Sequence, residues 1–262
     1  MLGLQRPVLV GRLGGLEGAT LAYYLRHRPR RPYPEWLRER MHYSAGLFSN
    51  DDQSMDVYSM LTAAALRQAD LLAVWWAPGE ASALRGCLAD GVPLVNLANL
   101  QPFRHPEPWS QLLAGKKVVV VHPFEASIRQ NYARRHLLFD DPAVLPGFEL
   151  EVVKAVQGVT GIETGFADWF AAFEWMKAQL SGLDYEVALV GCGAYGLPLA
   201  AWIKGQGRQA IHLGGVTQLL FGIRGRRWDR RLPAGLCLQN WTRPLPEETP
   251  PDFMGMEDGC YW

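Results

Sequence analysis

The feature that most constrains this chain is an alternation. Seven short apolar runs rich in β-branched residues recur at 7–10, 69–75, 92–96, 117–121, 150–155, 185–190 and 209–213. Longer amphipathic stretches lie between them, at 16–28, 33–48, 54–68, 80–89, 126–138, 166–180 and 196–204. Strands separated by helices cannot pair as hairpins, so the pattern predicts an α/β fold: a mostly parallel, Rossmann-like sheet flanked by helices. Lys117-Val-Val-Val-Val121 is apolar at almost every position, as a strand covered on both faces must be. After Trp228 the alternation stops. The chain turns proline-rich through 243–251 and ends Cys260-Tyr-Trp262. We read 1–262 as a single domain, with 228–262 an irregular tail packed on it, because two terminal aromatics are costly to leave in water.

Composition narrows the function classes. The 262 residues carry 26 Lys plus Arg against 26 Asp plus Glu, which argues against nucleic acid as a bulk electrostatic partner. No apolar run reaches the roughly 20 residues of a membrane span, which leaves only a peripheral membrane association open. The N-terminus lacks a basic start followed by a cleavable apolar segment, and this predicts a cytoplasmic protein. Cys87, Cys192, Cys237 and Cys260 are scattered, which speaks against a zinc site or a disulfide framework.

In an open parallel sheet, ligands bind beyond the carboxyl ends of the strands. There the sequence places Arg12, Gly14 and Glu17 after the first strand, and Trp75, Trp76 and Glu80 after the second. Asn96 and Asn99 follow the third, and His122, Ser127 and Arg129 the fourth. After 185–190 comes Gly191-Cys-Gly193-Ala-Tyr195-Gly196, a G-x-G-x-x-G between a strand and a helix. Such a turn offers free helix N–H groups to a phosphate; it is equally a tight corner. His212, Gly214, Gly215 and Gln218 close the series. His122 and His212 read more readily as structural histidines than as catalysts, and Trp75 and Trp76 as core. The arginine run 224–231 reads as solvated surface or as a receiver of phosphate. A dinucleotide site wants an acid roughly 20 residues beyond the first glycine. Ile211, His212 and Leu213 stand there, so the turn suits the diphosphate of a mononucleotide better than NAD.

Four stretches, "VGRLGGLEG" (10–18), "GKKVVVVHPFEASI" (115–128), 185–228 and "EDGCYW" (257–262), together resemble bacterial glycosyltransferases of the GT-D fold type. The resemblance implies transfer of a sugar from a nucleotide-sugar donor, with a metal-binding Asp-x-Glu after the first strand. Laid on residues 15–17, that motif puts its glutamate on Glu17 and its aspartate on Gly15, which cannot ligate a metal. Dependence on a divalent Mn or Mg ion is therefore in question, with Glu17 the one candidate ligand.

Glycosyl transfer needs stabilisation of a departing diphosphate, and an inverting enzyme also needs a base for the acceptor hydroxyl. The expected catalytic residue is Glu17. The expected donor contacts are Arg12, Gly14, Gly191, Gly193, Tyr195, Gly196, His212, Gly214, Gly215 and Gln218, and the further substrate contacts are Asn96, His122, Ser127 and Arg129. The acceptor would be a glycan or lipid-linked saccharide of surface polysaccharide or glycoconjugate assembly. Two other readings stand beside this one: an NAD(P)-linked Rossmann oxidoreductase, and a nucleotide- or sugar-binding protein without catalysis.

Overall fold

The structure, a computed structural model, describes residues 3, 6–229, 232 and 236–262. All seven apolar runs are strands: β1 (Val8–Arg12), β2 (Leu71–Val74), β3 (Leu94–Asn96), β4 (Lys117–His122), β5 (Glu149–Lys154), β6 (Val187–Val190) and β7 (Gln209–His212). They form one sheet in the order β3-β2-β1-β7-β6-β4-β5, and every pairing is parallel. β7 therefore lies between β1 and β6, pairing Val8 with Gln209 on one side and Val187 with Gln209 on the other.

The helices are α1 (Gly15–His27), α2 (Glu35–Tyr43), α3 (Asp52–Arg67), α4 (Glu80–Cys87), α5 (Glu125–Ala133), α6 (Trp169–Ser181), α7 (Gly196–Gly205) and α8 (Val216–Leu220). Three differ from the sequence reading. The stretch 33–48 is helical only over α2, because Gly46 at φ 83° supplies a left-handed stop and the Gly46 and Leu47 amides turn back to the carbonyls of His42 and Met41. α5 ends at Ala133 and passes into a 3₁₀ turn over Arg135–Leu137. The glycine-rich corner after β7, where the sequence reading has no helix, continues into α8.

Alternating side chains of the central strands enter two separate cores. Val119, Val121, Ala188, Val190 and Ala210 pack beneath α1, α3, α4, α6 and α7. Val118, Val120, Val187, Leu189 and Ile211 pack beneath α5, α8 and the tail. That two-sided cover explains why these runs are apolar at consecutive positions.

The tail does pack on this second face. Trp262 is 5% exposed and its indole N–H donates to the Glu248 carbonyl at 3.0 Å, while the Trp241 indole donates to Leu138 at 2.8 Å. Its anchor is the buried Glu248 carboxylate at the start of α5, a helix with no side-chain cap of its own. Glu248 accepts from the Ala126 amide at 2.7 Å, from the Ser127 amide at 3.2 Å and from the Ser127 hydroxyl. An anion there satisfies orphan amides and meets the positive end of the helix dipole. Ser127 Oγ also accepts from the Leu245 amide at 3.0 Å. Its expected role as a substrate contact is thereby corrected: its hydroxyl is committed to the tail. Glu248→Ala leaves these donors unpaired, so we expect a loss of about 1–3 kcal/mol of stability, read as a lower urea midpoint at unchanged slope.

Candidate functional site

A cleft of about 1100 Å³ opens at the carboxyl ends of β1, β4, β6 and β7. β4 and β6 are neighbours whose onward connections leave in opposite directions, β4 to β5 and β6 to β7. Adjacent crossovers that diverge cannot fill the space between their strand ends, which is why crevices form there. Arg12, Gly14, Glu17, His122, Gly191, Gly193, Tyr195, His212, Gly214, Gly215 and Gln218 all line the cleft. Asn96, Ser127, Arg129 and Gly196 do not line it. Asn96 ends the edge strand β3, where its side chain accepts from the Ala98 amide at 2.9 Å. Arg129 pairs with Glu125 at 3.1 Å and Glu151 at 3.5 Å and donates to the Val152 carbonyl. Both are held by neighbours that short polar side chains and surface cations find locally, away from the strand ends that border the cleft.

The glycine turn is explained by the chain's own packing. A Cβ on Gly193 would stand 2.7 Å from the Ala45 carbonyl oxygen, at φ 57°. A Cβ on Gly191 would collide with the Thr217 side chain and the Gly214 carbonyl, and one on Gly196 with the His212 ring. The Ala194 amide, one of the groups a phosphate would want, donates to the Ala45 carbonyl at 2.9 Å. The turn is thus a junction of β6, β7, α7 and the loop after α2. Packing alone therefore accounts for the three glycines, two of which, Gly191 and Gly193, also border the cleft. Gly215 is likewise approached by the chain itself, since its Cβ would meet the Tyr261 ring at 2.8 Å and the Trp228 ring at 3.1 Å.

Tyr195 does not offer its ring to a ligand. It is buried, and it stacks on Trp169 with centroids 4.4 Å apart at 4°; desolvation pushes its phenol above the ordinary value. Gln218 holds the tail, donating to the carbonyls of Tyr261 at 3.2 Å and Ile223 at 3.3 Å. Its Oε1 is buried without a partner among the described residues. His122 Nδ1 accepts from the Phe124 amide at 3.0 Å, and His212 Nδ1 faces the Val190 carbonyl at 3.2 Å, which makes it the donor there. Burial lowers both imidazoles to about 3, helped at His212 by the Arg12 guanidinium. Both are neutral near pH 7 and border the cleft.

The end of β1 is different. Arg12 makes no hydrogen bond or ion pair among the described residues, and its guanidinium lies 5.8 Å from the Trp75 ring centre. Glu17, in the first turn of α1, likewise makes no hydrogen bond or ion pair among the described residues. Gly14 caps that helix without a side chain, and the Glu17 carboxylate lies back over it, where a Cβ on Gly14 would collide with it. Half-buried Arg12 and Glu17 therefore bring opposite charges to one wall.

Trp75 and Trp76, expected in the core, are 46% and 64% exposed. The cause is Glu80, itself 1% exposed, whose Oε2 accepts from the Trp75 and Ala77 amides at 3.2 Å each. Between those two bonds Trp76 is held at φ 58°, a conformation costing a bulky residue about 1–3 kcal/mol. In the sequence the signal for this role of Glu80 is an acid just after the turn Trp75-Trp-Ala-Pro-Gly79. Trp36 and Arg40, one helical turn apart on α2 and distant in sequence from every strand end, also line the cleft. Arg227 lines it as well, pairing with Glu257 and donating to Tyr261 Oη at 3.3 Å, so the tail borders the cleft too. Of the arginine run, Arg230 and Arg231 lie outside the described residues.

No family model matches the chain, and no curated protein matches it. A similar solved structure is a selenomethionine-substituted domain of unknown function 1792 (DUF1792), with 14% identity, a TM-score of 0.40, and coverage of 80% of this chain and 73% of that one.

Two outcomes follow from the packing. Gly193→Ala forces a Cβ against Ala45, so it lowers unfolding free energy by about 1–3 kcal/mol without any ligand present; unchanged stability would return the glycine to a ligand role. The histidines also set a pH dependence. The unfolded chain, with ordinary imidazoles near 6.5, takes up protons that the native state, near 3, refuses. Their contribution is intact above pH 6.5 and is lost as pH falls through the window to 3, by ~1.4 kcal/mol per unit per histidine. The double variant His122→Asn, His212→Asn keeps the amide-like partners and flattens that slope in urea titrations between pH 7 and pH 5.

Proposed function

We propose that the chain is a glycosyltransferase, moving a sugar from a nucleotide-sugar donor to a glycan or lipid-linked acceptor of surface polysaccharide or glycoconjugate assembly. One observation carries the reading: Arg12 and Glu17, neither with a hydrogen bond or ion pair among the described residues, bring a guanidinium and a carboxylate to the same cleft wall at the start of α1. The resemblance of 10–18, 115–128, 185–228 and 257–262 to GT-D glycosyltransferases supports it.

The acceptor oxygen attacks the anomeric carbon, the bond from that carbon to the diphosphate oxygen breaks, and the hydroxyl proton passes to Glu17. Negative charge grows on the leaving diphosphate, where the Arg12 guanidinium opposes it. Glu17 keeps its lone pairs for the proton because no donor among the described residues takes them.

The metal that the resemblance implies does not fit the residues present. Gly15 replaces one carboxylate, Arg12 adds positive charge beside the other, and among the described residues no group of three or more His, Cys, Asp or Glu converges. The oxidoreductase reading is opposed by His212 where a ribose-binding acid would stand, and by the Ala194 amide being engaged by Ala45.

Glu17→Gln tests the proposal. Turnover falls by ~10²–10⁴ while calorimetric affinity for UDP, GDP or dTDP is retained. A first-turn charge with no catalytic task would instead cost only about 0.3–1 kcal/mol of stability and leave turnover alone. Nucleotide binding with no turnover in the native chain would favour a binding protein without catalysis, the reading that Gly15 makes concrete.

A further inference from the structure

The fold has no use for the Trp75–Trp76 loop as it is displayed. Trp169, Trp241 and Trp262 are buried, yet two adjacent indoles are left in water at 46% and 64% exposure. The exposure is built. The Glu80 carboxylate, 1% exposed, holds the amides on either side of Trp76 and fixes its left-handed backbone. The Trp75 indole N–H donates to the Leu13 carbonyl at 3.1 Å, which pins the ring against the β1–α1 turn. A Cβ on Gly15 would stand 3.3 Å from Trp75 Cζ2, so a larger residue there would press on the ring. The position that cannot ligate a metal thus makes room for the pinned indole.

From this geometry we infer that the loop is the acceptor platform, with the terminal pyranose ring of a saccharide lying on Trp75 and its next ring on Trp76. The inference rests on the glycosyltransferase reading. Indole faces match the apolar face of a pyranose ring, and residues 75–79 carry no charge of their own. Trp75 lines the cleft beside Arg12, so a ring on it is within reach of the wall that holds Glu17. Trp76 is the more exposed of the two and does not line the cleft. The platform therefore continues outward, as a chain leaving the site requires. A donor, bounded by its own base, has no need of that extension.

The test uses the full chain, fluorescently labelled, on an array of bacterial surface oligosaccharides, with UDP, GDP and dTDP calorimetry in parallel. The native chain retains a subset of the glycans, and Trp75→Ala loses them by about tenfold or more. Trp76→Ala weakens oligosaccharides more than monosaccharides, and neither variant changes nucleotide affinity. Trp75→Phe, which keeps an aromatic face, retains part of the binding and separates stacking from loss of the loop's structure. The inference is overturned if the native chain retains no glycan, or if both alanine variants bind as the native chain does. Loss of nucleotide affinity in Trp75→Ala also overturns it, by giving the ring to the donor base. Glycan retention dependent on Trp75 with no nucleotide binding would keep the platform and discard the transferase reading.

Discussion

The architecture turns on the close approach at Gly191–Gly196. There β6 passes into α7 beneath the Ala45 carbonyl, beside the Thr217 side chain and against the His212 ring. No side chain fits at the three glycine positions without displacing backbone or a buried ring. Because these contacts bring the loop after α2, the corner after β7 and α7 to one point, they set the distance between the cleft walls. The neutral, hydrogen-bonded state of His212 is part of the same arrangement, since the ring occupies the space that Gly196 leaves.

Charge is distributed with similar economy. The chain balances 26 basic against 26 acidic residues, and several of its internal ions are paired. Arg28 meets Asp56 at 2.7 Å and Asp52 at 3.2 Å, and Asp70 receives Lys204 at 2.7 Å. Against that background, Arg12 and Glu17 stand out as half-buried charges at the end of one central strand with no ionic partner among the described residues. Desolvating a charge without a partner opposes folding, so their presence is better explained by what enters the cleft than by stability.

Much of the fold was legible in the sequence because burial on both faces writes itself as continuous apolar runs, and all seven strands fall where those runs lie. The helix after Pro34 is shorter than its apolar pattern implies because Gly46, at φ 83°, stops it. The candidate site was legible only in part. Arg12, Glu17 and His122 could be placed from strand ends alone. Ser127 could not be read correctly, since its partner Glu248 lies 121 residues further on. Tyr195 was misjudged because its stacking partner Trp169 belongs to another helix. Trp75 and Trp76 look like core by composition, and only the Glu80 carboxylate, acting on backbone amides, turns them outward.

The position of β7 also orders events in time. The strands β3-β2-β1 and β6-β4-β5 make two half-sheets whose inner edges touch only through β7, the last strand to be synthesised. Until residues 209–212 are in place, β1 and β6 each present a bare parallel edge, the kind of surface on which chains join one another. Pairing Val8 with Gln209 closes a loop of nearly the whole sheet-forming chain, and such distant contacts form slowly. A nascent chain therefore carries the half-sheet around β1 with an open edge until β7 emerges, late in its synthesis. The wall bearing Arg12 and Glu17 meets the glycine corner only when the final strand slides between them.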